Sequence, residues 1–147
     1  MHNAIAALKQ SGPRVMNDAA TPARLRLLVL EDEALVSMLI EDQLVELGFV
    51  VVGPAATVKQ ALALCATELV DGALLDVNLG GGQRSDPVAD YLERLNIPFL
   101  FVTGYGHAGL DPRFADRAVL QKPFALPELR RELDALFLDP AAAGANA

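Results

Sequence analysis

The sequence predicts an α/β domain: a doubly wound, five-stranded parallel sheet with helices on both faces. Two observations predict it. Five short apolar runs alternate along the chain with longer helical patterns. The runs are apolar on successive rather than alternate positions, the mark of strands covered on both faces. Five strand–helix units in succession imply right-handed crossovers between parallel strands.

The strand runs are Leu25–Leu30, Phe49–Val52, Ala73–Asp76, Phe99–Val102 and Ala118–Leu120. The helical patterns are Ala34–Leu47, Val58–Thr67, Val88–Leu95, a weak one near Pro112–Asp116, and Pro127–Phe137. The first helix sets Val36, Ile40, Leu44 and Leu47 on one apolar stripe. Gly48 follows where a left-handed cap is wanted. A second apolar row, Leu35, Met38 and Val45, lies off that stripe. It reads either as wider core contact or as a docking surface. The pattern near Pro112 is weak because Gly104, Gly106, Gly109 and Pro112 all disfavour a helix.

The chain has 147 residues, of which 52% are hydrophobic and 21% charged, which suits one globular domain. We expect that domain over residues 24–138, a mobile leader over 1–23 and a frayed tail over 139–147. The net charge of −7 disfavours nucleic acid, whose phosphates are bound by Lys and Arg. No apolar run approaches the ~20 residues of a membrane span, and the N-terminus lacks the apolar core of a secretory signal. One cysteine, Cys65, allows no internal disulfide and reads as a packed core residue. A cytoplasmic protein is expected, with no membrane and no nucleic acid among its partners.

In open parallel sheets the functional site lies beyond the carboxyl ends of the strands. Strand one ends in Glu31-Asp32, strand three in Asp76, strand four in Thr103, and strand five runs into Gln121-Lys122-Pro123. Each residue alone has an ordinary reading as a helix N-terminus, a turn, a cap or a surface charge. All of them at strand ends, in this order, make a stronger signal. Adjacent carboxylates repel, and a hard divalent cation such as Mg²⁺ offsets that repulsion. Lysine adds a positive charge and threonine a hydroxyl donor. Phosphoryl transfer needs a nucleophile and charge neutralisation, and a carboxylate can serve as the nucleophile.

These residues resemble the receiver domain of two-component response regulators, over about Leu25 to Leu138. The resemblance implies a flavodoxin-like sheet of order 2-1-3-4-5. It implies that Asp76 is the phosphoacceptor, Thr103 the switch hydroxyl and Lys122 the phosphate-binding lysine, joined to Pro123 by a cis bond. Mg²⁺ is then the cofactor, held by Glu31, Asp32, Asp76 and the backbone carbonyl of Asn78. The implied partners are a histidine kinase or phosphotransfer protein and an unknown downstream protein. With few residues after the last helix for an output domain, a stand-alone regulator or phosphate sink is expected, and no enzyme beyond slow self-dephosphorylation.

Phe101-Val102-Thr103-Gly104-Tyr105, Asp76-Val77-Asn78-Leu79 and Pro87-Val88-Ala89-Asp90 are further similar to an alphaproteobacterial subgroup with a Phe-Ala-Thr-Gly motif, often single-domain. Three positions depart from these patterns. Gly80 replaces a common Pro, Gly106 a Tyr, and Val119 the aromatic before the lysine. Without that ring, the switch is expected to run through Thr103–Asp116, with Tyr105 taking part.

Two rival readings remain. A haloacid-dehalogenase-like phosphatase wants a second Asp where Asn78 stands. A pseudo-receiver, a binding module without phosphorylation, typically lacks one of the key residues retained here.

Overall fold

The structure, a computed structural model, describes residues 24–138. The expected leader and tail lie outside the described residues. Five strands, β1 (Arg26–Leu30), β2 (Val50–Ala55), β3 (Gly72–Asp76), β4 (Phe99–Thr103) and β5 (Val119–Gln121), form one sheet. Every neighbouring pair is parallel, in the order β2-β1-β3-β4-β5. Among the described residues four α-helices cover it: α1 (Ala34–Glu46), α2 (Val58–Thr67), α3 (Asp86–Arg94) and α4 (Leu126–Leu138).

The apolar runs do what their pattern demands. Strands β3 and β4 are buried at every position, and β1 at all but its first. Side chains of alternate residues enter two cores. Leu28, Leu30, Ala73, Leu75, Phe99 and Phe101 point into one, shared with Ala61 and Cys65 of α2 and Val88 and Leu92 of α3. Leu27, Val29, Leu74, Leu100 and Val102 point into the other, shared with Ile40 and Leu44 of α1 and Leu129, Leu133 and Phe137 of α4. A strand's period of two feeds both layers at once.

Helix α1 ends as its sequence predicts. Gly48 takes φ +95°, its N–H donates to the Val45 carbonyl, and the Phe49 N–H donates to the Leu44 carbonyl. That closes a Schellman motif, with Leu44 and Phe49 in the same core. Val36 and Leu47 complete the stripe as partly buried residues. Helix α2 opens on Thr57, whose hydroxyl accepts from the Gln60 N–H at 3.1 Å.

One expected element is corrected. The pattern near Pro112–Asp116 forms no α-helix but a 3-10 turn, Pro112–Phe114, preceded by another at Gly106–Gly109. Glycine entropy and the proline ring work against a longer helix there. Phe114 nevertheless anchors the segment. It is 1% exposed and its ring centroid lies 5.5 Å from that of Phe101 and 6.1 Å from that of Phe99. Truncating a buried Phe typically costs about 3–5 kcal/mol, so this anchor is strong. Arg113 pairs with Asp90 and Arg117 with Glu93, lacing the same segment to α3. Among the described residues, no helix is long and apolar enough to cross a membrane.

Candidate functional site

Sheet order and register decide which side chains meet. The order reverses between β1 and β3, so their carboxyl ends open onto one crevice. Leu30 pairs with Leu75, which sets Glu31 level with Asp76. Asp76 pairs with Val102, and Thr103 pairs with Gln121, one residue before Lys122. The Lys122 N–H donates to the Thr103 carbonyl at 2.9 Å, which continues β5 along β4 through the lysine. Lys122-Pro123 is a cis peptide, as is Gly53-Pro54.

Glu31, Asp32 and Asp76 come together, with one carboxylate oxygen of each within 4.8 Å of the others. Glu31 and Asp76 are buried, while Asp32 is exposed. The Lys122 ammonium reaches into the trio. It donates to Glu31 Oε1 at 2.8 Å and stands 3.5 Å from Asp76 Oδ1. Glu31 Oε2 accepts from the Glu33 N–H at 3.1 Å, so both Glu31 oxygens are engaged. Thr103 is 1% exposed, and its hydroxyl oxygen accepts from the Tyr105 N–H at 3.1 Å. Because that oxygen is the acceptor, the hydroxyl proton is left to be donated elsewhere.

A cleft of about 560 Å³ opens over these groups, lined among others by Asp32, Asp76, Asn78, Thr103, Tyr105 and Lys122. All six predicted side-chain or backbone contributors thus lie in or directly beneath one site. Gly80 also lines the cleft, where an added Cβ would come within 3.0 Å of Asp32 Oδ2.

The electrostatics match the crowding. Burial, then the charge of Glu31, push the Asp76 carboxyl from 3.8 to about 7, against the opposing pull of Lys122. Burial also works against the Lys122 charge. Its hydrogen bond to Glu31 and the charges of Asp76, Glu31 and Glu33 outweigh that, and hold its pKa above the ordinary lysine value. Three acids around one ammonium leave a surplus of negative charge, and hard oxygen donors of this kind suit Mg²⁺.

The sequence reading missed two participants. Glu33 lines the cleft and lies 4.0 Å from the Lys122 ammonium. Its position next to the acidic pair was the available signal. Arg84, outside the cleft lining, donates to the Asn78 side chain at 3.3 Å. A lone arginine in a loop carries no pattern that would single it out.

No protein-family model matches the chain. The solution structure of SdrG from Sphingomonas melonis Fr1 superposes with a TM-score of 0.72 at 45% identity, covering 79% of this chain and 98% of SdrG. The receiver domain of the PhyR response regulator from Erythrobacter litoralis superposes at 0.68 with 29% identity, covering 80% and 92%. The chain belongs to the response-regulator receiver family. Within it, this receiver domain stands close to SdrG and PhyR. It is also 30% identical over 122 residues to the transcriptional regulatory protein PdtaR of Mycobacterium tuberculosis, which covers 81% of this chain. The chain spans 58% of PdtaR's length. By name, PhyR is a response regulator and PdtaR a transcriptional regulatory protein.

Proposed function

We propose that this receiver accepts a phosphoryl group on Asp76 from a histidine kinase or phosphotransfer protein, with Mg²⁺, in the cytoplasm. The phosphorylated form then signals through contacts with a downstream protein or drains phosphate from its kinase. One observation carries the reading: three carboxylate oxygens within 4.8 Å of one another, with an ammonium 3.5 Å from the central one. The Phe101-Val102-Thr103-Gly104 run supports placing it in the Phe-Ala-Thr-Gly subgroup.

In the proposed step an Asp76 carboxylate oxygen attacks the phosphorus of the donor in line. A P–O bond forms and the P–N bond to the donor imidazole breaks. The imidazole nitrogen keeps the bonding pair and takes a proton from solvent. Lys122 donates its ammonium protons to the transferred group, and Thr103 donates its hydroxyl. Asp32 and Asp76, with Glu31 and the Asn78 carbonyl, would hold Mg²⁺, which supplies charge neutralisation at the phosphoryl oxygens. The test uses a small phosphodonor with Mg²⁺ or with excess chelator. The expected result is one added phosphoryl mass on the peptide carrying Asp76, lost with chelator. Label on another residue, or label indifferent to chelator, would overturn the reading.

The α1 surface supports the kinase as partner. Leu35, Met38 and Val45 are 81%, 59% and 59% exposed, so the second apolar row is not wider core contact. Leu39 joins it at 53%. This helix begins at Ala34, directly after Glu33 at the cleft edge. An apolar row beside a phosphotransfer cleft fits the helical bundle that carries a donor histidine. Replacing Leu35 with Ser and Met38 with Gln is expected to lower phosphotransfer from a kinase by roughly tenfold or more, the scale of interface hot spots. Labelling by a small phosphodonor should not change. An equal fall with both donors, or no fall with either, would sink this docking assignment.

A further inference from the structure

Arg84 plays no part in the transfer step, yet its guanidinium reaches three separate elements. Nη1 donates to Asn78 Oδ1 at 3.3 Å, and Nη2 donates to the Gly109 carbonyl at 3.0 Å. Nε stands 3.3 Å from Asp86 Oδ1. Asn78 belongs to the loop that leaves Asp76. Gly109 closes the turn that follows Thr103. Asp86 opens α3. An antiparallel bridge between Asn78 and Arg84 fixes the base of the side chain. A planar fork of five N–H donors can hold several acceptors at once, which a lysine ammonium on a flexible stem does less well.

The turn held in this way covers the switch hydroxyl. A first side-chain carbon built on Gly109 would lie 3.8 Å from Thr103 Oγ1 and 3.9 Å from Asn78 Nδ2. Beyond the turn the chain is anchored by Phe114, Arg113 and Arg117, as described above. Before it, Gly104 and Gly106 leave the backbone easy to remodel, and Gly106 already sits at φ +60°. Leu110, partly buried against the core, closes the stretch, so the residues with the fewest packing anchors between Thr103 and Phe114 are Gly104–Gly109.

We propose that Arg84 is a positioning residue of the switch: it latches the Gly106–Gly109 turn to Asn78 over the Thr103 hydroxyl and stabilises the unphosphorylated arrangement of that turn. The proposal rests on the reading of Asp76 as phosphoacceptor and Thr103 as switch hydroxyl. A ligand or modification that favours a second arrangement must work against whatever holds the first. Loss of the latch should then ease activation.

The experiment follows beryllofluoride, a phosphoryl mimic, with Mg²⁺ on the full chain by amide NMR and hydrogen exchange. Wild type, Arg84→Ala and Arg84→Lys are compared. In Arg84→Ala without the mimic, exchange at residues 104–109 should rise, while amides of β3, β4 and α1 stay as in wild type. The half-saturating mimic concentration should fall by roughly fivefold, the scale of one ordinary net hydrogen bond. Arg84→Lys should lie between the two. Unchanged exchange and unchanged half-saturation in Arg84→Ala would overturn the latch. So would a rise in exchange spread equally over the core strands, which would mark a general loss of stability. Failure of the wild-type protein to take phosphodonor label on Asp76, run in parallel, would overturn the phosphoacceptor reading itself, and the latch as a switch device with it.

Discussion

Asp76→Asn is expected to take up no phosphoryl group from either a phosphohistidine donor or a small phosphodonor, read by intact-protein mass. The substitution is nearly isosteric, so the β3 end should keep its shape. What it removes is the anionic oxygen that attacks phosphorus, since a neutral amide is a far weaker nucleophile. The buried neighbouring carboxylate is poorly placed to replace it. Glu31 is buried, with Oε1 bound to Lys122 and Oε2 to the Glu33 N–H. Asp71, the other buried aspartate among the described residues, gives the control. Its carboxylate accepts from the Arg26 N–H at 2.8 Å, beside the start of β1 and away from the strand ends that form the cleft. Asp71→Asn should keep its label. Undiminished label on Asp76→Asn would falsify the acceptor assignment.

Much of this site was legible because strand ends are marked in sequence. Where an apolar run stops at Asp76 or Thr103, the parallel topology alone brings the terminating residues to one edge. The left-handed Gly48 was legible for a similar reason, since a helix C-cap depends on local chemistry, whereas the cis bond before Pro123 was expected only from the family resemblance and the one at Gly53-Pro54 was not expected. Boundaries set by tertiary context were harder. Strand β2 runs on to Ala55 through Gly53-Pro54, a pair that reads locally as a stop. Helix α3 starts at Asp86 rather than Val88, because Pro87 sits in the first turn, where its missing N–H costs nothing. Partner choice inside the site was not legible at all. The sequence sends Glu31, Asp32, Asp76 and Lys122 to one place, but side-chain torsions decide that the lysine bonds Glu31 more closely than Asp76. Arg84 lay beyond reach for the same reason, since Gly109 is 25 residues away along the chain.

The same Asp76→Asn variant is expected to be more stable than the wild-type protein at neutral and alkaline pH, by on the order of 2–4 kcal/mol. The sign follows from the direction of the Asp76 shift. Burial and the neighbouring Glu31 charge lift its carboxyl from 3.8 to about 7 in the folded chain. A raised carboxyl pKa means that the folded state prefers the protonated acid, so ionising Asp76 weakens the fold. Below about pH 4 the group is protonated in both folded and unfolded chains, and wild type and variant should then match at this position. As pH rises toward 7 the unfolded chain ionises first, and the wild-type protein loses stability progressively. Above about pH 7 the whole penalty is in place, and the neutral amide of the variant avoids it. Urea unfolding of both proteins across pH 4 to 8.5, without divalent cations, measures the difference directly. Adding Mg²⁺ at pH 8 should stabilise the wild-type protein more than the variant, because a bound cation offsets the charge that the substitution deletes. A variant no more stable than wild type at pH 8, or an advantage that persists undiminished at pH 4, would show that Asp76 is not the source of strain among these carboxylates.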